Sequence, residues 1–563
     1  MNRGERRRLS KLERQTRGAG NGSLPDGDIT TSLSQAIGLL QAGAAGDALH
    51  LCQQILSKQP KNPDALNLCA VAHFHLGNVE PALRTLQTLI EAKPDHVEAY
   101  NNLGNMFRTL GRFDAAEAAY RQALEINADY FDAHYNLGIM LESVDRLDEA
   151  ETAYRKAGKL KPDFPEAFLN LGNVLKALGA LEEAIAAYQQ ALEPAAENAA
   201  VYNNIGNAYY ELGDLDQAET AYRRALEINP NFADTHYNLG IVLQENDHLD
   251  EAISQYRRTL ELSPDYVKAH INLGYALHKL GEADEAVAAY KRAIELEPAN
   301  AQVHANLGDV LLQQGKRREA VALCDAYLQQ HPGNTGVLAF KAVALHELGE
   351  REQANMLVDF DRLILASELQ TPPGFASLSD FNAALAHYVG THPTLVAAPS
   401  RHATRFGKHS GELLGPEKGP IAALERQIRQ AVEDYRRSRP ADGSHPFLAH
   451  PPKRLRITAW GVVLGAQGHQ VPHIHPSAWL SGVYYVRVPE LVDAPDQRPA
   501  GWIEFGRPPE HFHCQAEPHV RLFQPKEGLL LLFPSYFYHR TVPFAIEDTR
   551  ISIAFDVSPL PGT

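Results

Sequence analysis

The sequence predicts a two-domain α + β protein, in which an all-α superhelix (solenoid) precedes a β-rich domain with buttressing helices. Its 563 residues are too many for one ordinary domain, and 44% hydrophobic residues suffice for more than one core. Glycine recurs every 34 residues through the first two thirds, a period typical of stacked helix pairs. All three tryptophans and 13 of the 25 histidines follow residue 365, where the period ends. We therefore predict an N-terminal arm over 1–29, an array over 30–365 and a second domain over 366–563.

The arm has few apolar residues, and this composition favours a disordered basic tail over a specific contact with an anionic partner. Seven of its basic residues fall within the first 20 positions: Arg3, Arg6, Arg7, Arg8, Lys11, Arg14 and Arg17. The arm also lacks the apolar segment of a secretory signal, and no run of about 18 uncharged apolar residues occurs anywhere. We therefore expect a cytoplasmic protein without membrane contact.

The whole chain carries a formal net charge of -16, which would repel a phosphate backbone. We therefore expect no nucleic-acid partner. The four cysteines are far apart and show no CxxC spacing, which argues against a disulfide framework or a structural zinc cluster. We expect reduced thiols at Cys52, Cys69, Cys324 and Cys514.

The repeated segment has three small or aromatic positions in a fixed order. Seven glycines, from Gly104 to Gly308, are each followed twelve residues later by alanine, and six of these alanines are followed four residues later by tyrosine. Small residues let paired helices approach closely, and the tyrosine fills the remaining gap. This pattern resembles the tetratricopeptide repeat (TPR), and weaker copies extend the register to about ten repeats. The resemblance implies a superhelical array with a concave groove.

A second periodic position lies two residues before each glycine and holds asparagine every time. In tetratricopeptide arrays this position faces the groove, where an amide offers both a donor and an acceptor to an extended chain. We therefore expect the array to bind a protein or peptide, although the same amides could instead satisfy neighbouring groups. The seven candidate partner-binding residues are Asn102, Asn136, Asn170, Asn204, Asn238, Asn272 and Asn306.

The second domain begins with a helical pattern and continues as strands. Apolar residues recur at helical spacing in "IAALERQIRQAVEDY", which predicts a helix that buttresses a sheet. From Leu455 onward, short β-branched and aromatic segments are separated by Gly, Pro and Asp. Seven or eight strands of this kind favour a barrel or sandwich. They read "LRITAWGVVL", "SGVYYVRV", "GWIEFG", "VRLFQP", "GLLLLFP", "YHRTVPF" and "TRISIAFDV".

Candidate metal ligands lie at two strand ends of this domain. His473 and His475 are separated by one residue, so both rings point to the same side of an extended chain. His539 follows the buried strand "GLLLLFP". On the last strand, Arg550 and Ser552 share a face, and an arginine at that position needs an anionic partner.

These segments resemble the iron(II)- and 2-oxoglutarate-dependent oxygenases, which have the double-stranded β-helix (jelly-roll) fold. The resemblance rests on "HIHPSAWLSGVYYV", "PKEGLLLLFPSYFYH" and "RISIAFDV", and it is close to a subfamily found after tetratricopeptide arrays. It implies Fe(II), 2-oxoglutarate as cosubstrate and O2, with His473 and His539 as iron ligands. It further implies that Arg550 and Ser552 bind the far carboxylate of 2-oxoglutarate, with Tyr485 as a further donor.

His475 departs from the pattern, because the larger family has Asp or Glu at that position. Either His475 is the third iron ligand or a water takes its place. The most consistent function is a dioxygenase that hydroxylates a substrate recruited by the array; the alternative is a scaffold with a catalytically silent oxygenase-like domain. Another alternative is a cupin that does not use 2-oxoglutarate, but this interpretation gives Arg550 no role. His469 is expected in a loop, and "EHFHC" (His511, His513 and Cys514) in a surface loop without a second metal site.

Overall fold

The computed structural model describes most of the chain, and the predicted basic arm lies almost wholly outside the described residues. These residues are 29–193, 197–398, 403–415, 418–449, 451–489, 499–545 and 548–560. Contacts between residues divide the chain into two compact units, one ending at Val242 and the other beginning at Leu243. The second unit therefore combines the last repeats with the β-rich domain.

The first unit consists of helices joined by short turns. Its helices are α1 Ile29–Gln41, α2 Ala45–Lys58, α3 Pro63–His75, α4 Val79–Ala92, α5 Val97–Thr109, α6 Phe113–Ile126, α7 Phe131–Ser143, α8 Leu147–Leu160, α9 Pro165–Ala177, α10 Leu181–Leu192, α11 Ala199–Leu212 and α12 Leu215–Ile228, and α13 Ala233–Glu245 runs across the division. The predicted helical array is confirmed. Each pair spans one 34-residue period.

A second 34-residue ladder explains the turn inside each pair. One residue there takes a left-handed backbone conformation, which ends the first helix and favours glycine. Asp145 and Asp247 occupy this position in two pairs, with φ of 61° and 62°. The other pairs have glycine, at Gly43, Gly77, Gly111, Gly179, Gly213, Gly281, Gly315 and Gly349.

Six glycines of the first ladder are required by packing, because each lies against an aromatic ring: Gly104, Gly138, Gly172, Gly206, Gly274 and Gly308. A Cβ atom added at Gly104 would lie 2.5 Å from Cε1 of Tyr120, whose ring is fully buried. The hydroxyl of Tyr120 donates to Asn105 Oδ1 at 2.7 Å, which holds the ring in place. The repeated glycine therefore sets how closely the two helices of a pair approach.

We expect Gly104→Ala to lower the free energy of unfolding of the array by about 1–3 kcal/mol, because the ring of Tyr120 must move. Gly38 is the matched control, since a Cβ atom there meets nothing within 4 Å and α1 should gain up to about 1 kcal/mol from alanine. Urea unfolding followed by circular dichroism measures both variants. Equal stability of the two would contradict this role of the glycine.

The second unit begins with the remaining helices of the array. They are α14 Leu249–Leu262, α15 Val267–Lys279, α16 Ala283–Leu296, α17 Ala301–Gln313, α18 Arg317–Gln330, α19 Thr335–Leu348, α20 Arg351–Leu357 and α21 Phe360–Leu363, and two more helices, α22 Leu378–Gly390 and α23 Ile421–Ser438, belong to the β-rich part. One repeat is altered here. Cys324 occupies the position of the usual tyrosine, and the ring that lies against Gly308 is Phe340 from the next helix pair.

The β-rich part is a curled sheet with ten strands in the described residues. The strands are β1 Leu365–Glu368, β2 Val396–Ala397, β3 Thr404–His409, β4 Leu455–His473, β5 Leu480–Arg487, β6 Ile503–Phe505, β7 Arg521–Phe523, β8 Leu529–Pro534, β9 His539–Thr541 and β10 Arg550–Pro559. Their order is β1-β8-β5-β10-β4-β9-β6-β7, β3 pairs with β4 and with β2, and all the pairs are antiparallel. The seven predicted strands are β4 to β10. Strand β1 begins at Leu365, next to the predicted domain boundary.

The long strand β4 connects the two parts of the curl. Its first half pairs with β10 from Leu455 to Leu464, and its end pairs with β9 from Gln470 to His473. Between them the backbone is irregular, with φ of 62° at Gln467. Helix α23 packs its buried apolar face into the same core as β5, β8 and β10, as predicted for a buttressing helix.

Candidate functional site

The end of β4 brings two of the three candidate histidines together. His473 is the last residue of β4, and His539 is the first residue of β9; the two are direct partners across the antiparallel pair. His475 follows β4, and its backbone N–H donates to the carbonyl oxygen of Ser535 at 3.1 Å. Strand pairing therefore places residues that are 66 positions apart side by side.

The three imidazoles form one cluster. Their ring centroids are 4.2 Å apart for His473 and His539, 5.1 Å for His473 and His475, and 5.2 Å for His475 and His539. One nitrogen from each ring lies within 4.8 Å of the other two. Three nitrogen atoms at these separations can bind one metal ion after small ring movements.

Each ring uses its Nδ1 atom to bond an oxygen. Nδ1 of His473 lies 2.8 Å from the carbonyl oxygen of Val471, and Nδ1 of His539 lies 3.0 Å from that of Phe537. A carbonyl oxygen only accepts, so Nδ1 carries the hydrogen and Nε2 keeps its lone pair. This arrangement fixes the orientation and the tautomer that a metal ligand needs.

Burial keeps two of the rings neutral. Burial, together with the neighbouring His475, lowers the pKa of His473 to about 4. It also holds the pKa of His539 well below its usual value, with added repulsion from His473 and His475. A metal ion therefore need not displace a proton from either ring at neutral pH.

A carboxylate that was not predicted from the sequence also belongs to this cluster. Asp556 on β10 accepts a hydrogen bond from Nδ1 of His475 at 2.7 Å and another from the hydroxyl of Ser481 at 2.7 Å. It lies 81 residues from His475, so no local spacing around His473 and His475 points to it. The signal was present, because Asp556 continues the alternation of Arg550 and Ser552 along one face of β10.

We expect Asp556→Ala to weaken iron(II) binding about 10- to 100-fold, because His475 would lose its orienting partner and a nearby negative charge. Asp556→Asn keeps a hydrogen-bond acceptor without the charge, so its iron(II) affinity should lie between those of the wild type and Asp556→Ala. Asp548→Ala, at an exposed position just before the same strand, is the control. Competition with a chelator under anaerobic conditions measures all three, and unchanged affinity in Asp556→Ala would contradict the assignment.

A cavity of about 170 Å³ joins the histidines to the residues predicted to bind the cosubstrate. Its walls include all three rings together with Tyr485, Arg550 and Ser552. Arg550 is only 2% exposed, and its Nη1 donates to the carbonyl oxygen of Gly501 at 2.6 Å. No carboxylate in the described part of the chain pairs with this guanidinium, and its Nε has no hydrogen-bond partner there. A buried cation in this state suits an anionic ligand.

The two adjacent tyrosines of β5 face opposite sides of the sheet. Tyr484 points away from the cavity and donates to Asn382 Oδ1 at 2.6 Å. Tyr485 lines the cavity, with the Arg550 guanidinium carbon 4.9 Å from its ring centroid. Its buried hydroxyl makes no well-formed hydrogen bond among the described residues, and burial raises its pKa while the neighbouring Arg550 opposes this rise. Tyr485 is therefore a neutral donor directed at the same space.

Iron(II) and 2-oxoglutarate both fit these residues. Three Nε2 atoms leave positions open on the metal, and imidazole suits iron(II). The orphaned polar atoms of Arg550 and Tyr485 provide donors for a carboxylate in the same cavity. With neutral ligands the metal keeps its full charge, which the dianionic cosubstrate and the nearby Asp556 would offset.

Two other sequence predictions need correction or limits. His469 does not lie in a loop; it belongs to β4, pairs with Arg405 on β3 and stays outside the histidine cluster. The asparagine ladder is half-buried, and several members bond within the array. Nδ2 of Asn102 donates to Asn67 Oδ1 at 2.9 Å, and Nδ2 of Asn136 donates to Asn101 Oδ1 at 3.0 Å. The alternative role, satisfying neighbouring groups, is therefore part of what these amides do.

The fold and the site together define a repeat protein with an oxygenase-type domain. Residues 458–556 match a family described as "Putative 2OG-Fe(II) oxygenase". Residues 255–288 and 276–315 match models of the tetratricopeptide repeat, and residues 12–265 match the C-terminal domain of cilia and flagella-associated protein 70. The chain thus carries tetratricopeptide repeats and a C-terminal domain of that oxygenase family, the architecture predicted from its sequence.

Solved structures with similarity to the chain include YrrB, described as a TPR protein with an unusual peptide-binding site. It is 26% identical, with 33% of this chain and 96% of YrrB covered and a TM-score of 0.30. MamA is 28% identical, with 31% of this chain and 94% of MamA covered and a TM-score of 0.29. The pilF protein of Pseudomonas aeruginosa is 21% identical, with 36% of this chain and 92% of pilF covered and a TM-score of 0.32. A comparison with curated protein sequences finds no match.

None of the described helices has both the length and the apolar composition that a bilayer crossing requires.

Proposed function

We propose that this protein is an iron(II)- and 2-oxoglutarate-dependent dioxygenase that hydroxylates a protein or peptide recruited by its repeats. The observation that carries the proposal is one cavity shared by two features. Three imidazoles each present one nitrogen close enough for one metal ion, and the buried guanidinium of Arg550 has no anionic partner among the described residues.

The residues divide the work of holding the reactants. His473, His475 and His539 would bind iron(II), and Arg550 would pair with the far carboxylate of 2-oxoglutarate through two parallel N–H bonds. The Ser552 hydroxyl lies on the same face of β10. When bound, iron(II) would supply the redox chemistry that couples conversion of 2-oxoglutarate and O2 to succinate and carbon dioxide with hydroxylation of a substrate C–H bond.

The walls of the cavity would orient the dicarboxylate and exclude water. Phe533 and Ile503 line it beside the histidines, and both are buried. Tyr485 would donate its hydroxyl hydrogen to the carboxylate that Arg550 binds. Apolar wall residues strengthen these charged contacts, because less water competes for them.

The array would raise the concentration of substrate near the site. An asparagine that donates one N–H within the array still has a second N–H and a carbonyl oxygen, so it can also bond an extended peptide. Asn102, Asn136 and the other members of the ladder remain our candidates for this contact. A cytoplasmic location is part of the proposal.

The test is turnover of 2-oxoglutarate by the full chain. Metal-free protein should release no succinate, and addition of iron(II), 2-oxoglutarate and oxygen should start release in proportion to protein. Ascorbate-matched buffer with iron(II) alone is the control. A second candidate function is a scaffold with a silent domain, which the replacement of the family carboxylate by His475 favours. Protein that binds iron(II) yet never forms succinate, with any peptide pool supplied, would support the scaffold and overturn the enzyme.

A further inference from the structure

A second cluster of metal-ligand side chains lies in the second unit, outside the cavity described above. It combines His278 at the end of α15, Asp309 in α17 and His513 in the loop between β6 and β7. One ligand atom from each residue lies within 4.8 Å of the other two. Nδ1 of His513 is 3.4 Å from Asp309 Oδ2, and Nε2 of His278 is 3.8 Å from the same oxygen.

Asp309 is a buried carboxylate in an altered repeat. Three earlier repeats place asparagine at this position, as at Asn105, where it accepts the hydroxyl hydrogen of the repeat's tyrosine at 2.7 Å. The repeat of Asp309 has Cys324 in place of that tyrosine, so this acceptor role does not exist here. The side chain of Asp309 is 5% exposed and pairs with no lysine or arginine among the described residues. A buried anion in this state favours a bound cation.

His278 supplies an independent indication. Its side chain is 11% exposed, and its Nε2 atom is buried without a hydrogen-bond partner in the described structure. That nitrogen faces Asp309 Oδ2 at a distance too long for a hydrogen bond. The ring centroids of His278 and His513 are 4.8 Å apart. Two imidazole nitrogens and one carboxylate oxygen thus surround a common point.

The loop that carries His513 is already held against the helices of the array. The backbone N–H of His513 donates to Asp309 Oδ1 at 2.9 Å. Further along, the N–H groups of Gln515 and Ala516 donate to Glu347 Oε1 at 2.8 and 2.7 Å. Asp309 therefore directs Oδ2 toward the imidazole of His513, at 3.4 Å from Nδ1, while Oδ1 fixes the loop, so little ordering is required on binding an ion.

The remaining coordination position is accessible. The side chain of His513 is 40% exposed and borders a cavity of about 440 Å³. Glu510 and Lys279 also line this cavity. Their opposite charges cancel, so the carboxylate of Asp309 leaves a net negative charge there. Tetrahedral zinc ligands lie about 3.4 Å apart, so the two rings need to move inward by roughly 1 Å.

We propose that His278, Asp309 and His513 bind a divalent transition-metal ion, most suitably Zn²⁺, with water as the fourth ligand. Two imidazoles and one carboxylate suit zinc better than magnesium or calcium, which prefer all-oxygen sites. The ion would cross-link the loop between β6 and β7 to helices α15 and α17. This site shares no residue with the histidine cluster around His539, and it does not depend on the proposed oxygenase activity.

The test uses the full chain, stripped with chelator and titrated with Zn²⁺ alone. Because zinc also suits three histidines, the background is His473→Ala with His539→Ala, which removes the other cluster. This background should bind about one equivalent, and adding His513→Ala should remove it; His513 is half-exposed, so the change should not unfold the chain. Asp309→Asn, which keeps the Oδ1 acceptor, should also remove it. His270→Ala, at a half-buried histidine of α15 whose ring bonds the backbone of Pro264, should keep the full equivalent.

A second measurement covers the case in which the background variant fails to fold. Wild-type protein should then bind about two equivalents of Zn²⁺, falling to about one in His513→Ala. Full retention of zinc by His513→Ala, in either setting, would overturn the second site and leave the iron proposal untouched. If the wild type instead binds only one equivalent of Zn²⁺, and His513→Ala removes it, the iron site would be overturned and this second site would stand.

Discussion

Replacing His539 by alanine should abolish succinate formation and reduce iron(II) affinity by more than about 100-fold. Loss of a partner that merely orients a ligand costs about 10- to 100-fold, so loss of the ligand itself must cost more. His539 is the most buried of the three rings and the direct strand partner of His473. Metal content after desalting and succinate release measure the effect.

His469→Ala is the control for that variant. It removes a histidine from the same strand as His473, but His469 bonds the backbone of Gln467 and stays outside the cluster. Circular dichroism should show both variants folded. Normal iron content in folded His539→Ala would remove His539 from the ligand set.

Replacing Arg550 by methionine should raise the Kd for 2-oxoglutarate on the order of 100-fold or more while iron(II) binding persists. Truncating one member of a buried charged pair typically costs 3–5 kcal/mol, and the guanidinium is the only fully buried cation of the cavity among the described residues. Arg550→Lys keeps the charge without the planar fork, so an intermediate loss is expected. Calorimetric titration of the iron-loaded protein without oxygen measures all three.

The methionine variant also tests why Arg550 is buried. Without cosubstrate, an unpaired buried cation destabilises the fold, so Arg550→Met should melt at or above the temperature of the wild type. 2-Oxoglutarate should raise the melting temperature of the wild type but not of the variant. Arg540→Met is the control, since Arg540 pairs with Glu504 on a neighbouring strand. If 2-oxoglutarate raised the melting temperature of Arg550→Met as much as that of the wild type, the dicarboxylate would bind elsewhere.

Most of the fold could be predicted because its signals are periodic. The 34-residue repeat identifies the helix pairs, and apolar segments identify β4 to β10. Strands β1, β2 and β3 were missed for a physical reason. They are short, lie at the start of the domain and consist of polar or mixed residues such as "TRFGKH", so their pairing is decided by long strands elsewhere.

Site residues on a single strand could be predicted from the alternation of its side chains. Contacts between residues on different strands were harder to predict. Arg550 and Ser552 share a face by simple alternation, and Asp556 follows the same rule but was overlooked. The contact between Asp556 and His475 depends on strand pairing over 81 residues. The second cluster needs a contact over 204 residues between Asp309 and His513, which no local pattern in the sequence encodes.

The central claim is that one cavity holds a metal on three imidazoles and a dicarboxylate on Arg550. Its most direct test is anaerobic titration of 2-oxoglutarate into the protein with and without iron(II). We predict one tight 2-oxoglutarate per chain with iron(II), much weaker binding without the metal, and loss of the tight binding in both His539→Ala and Arg550→Met. Binding that is absent with iron(II), or identical with and without it, would contradict the claim.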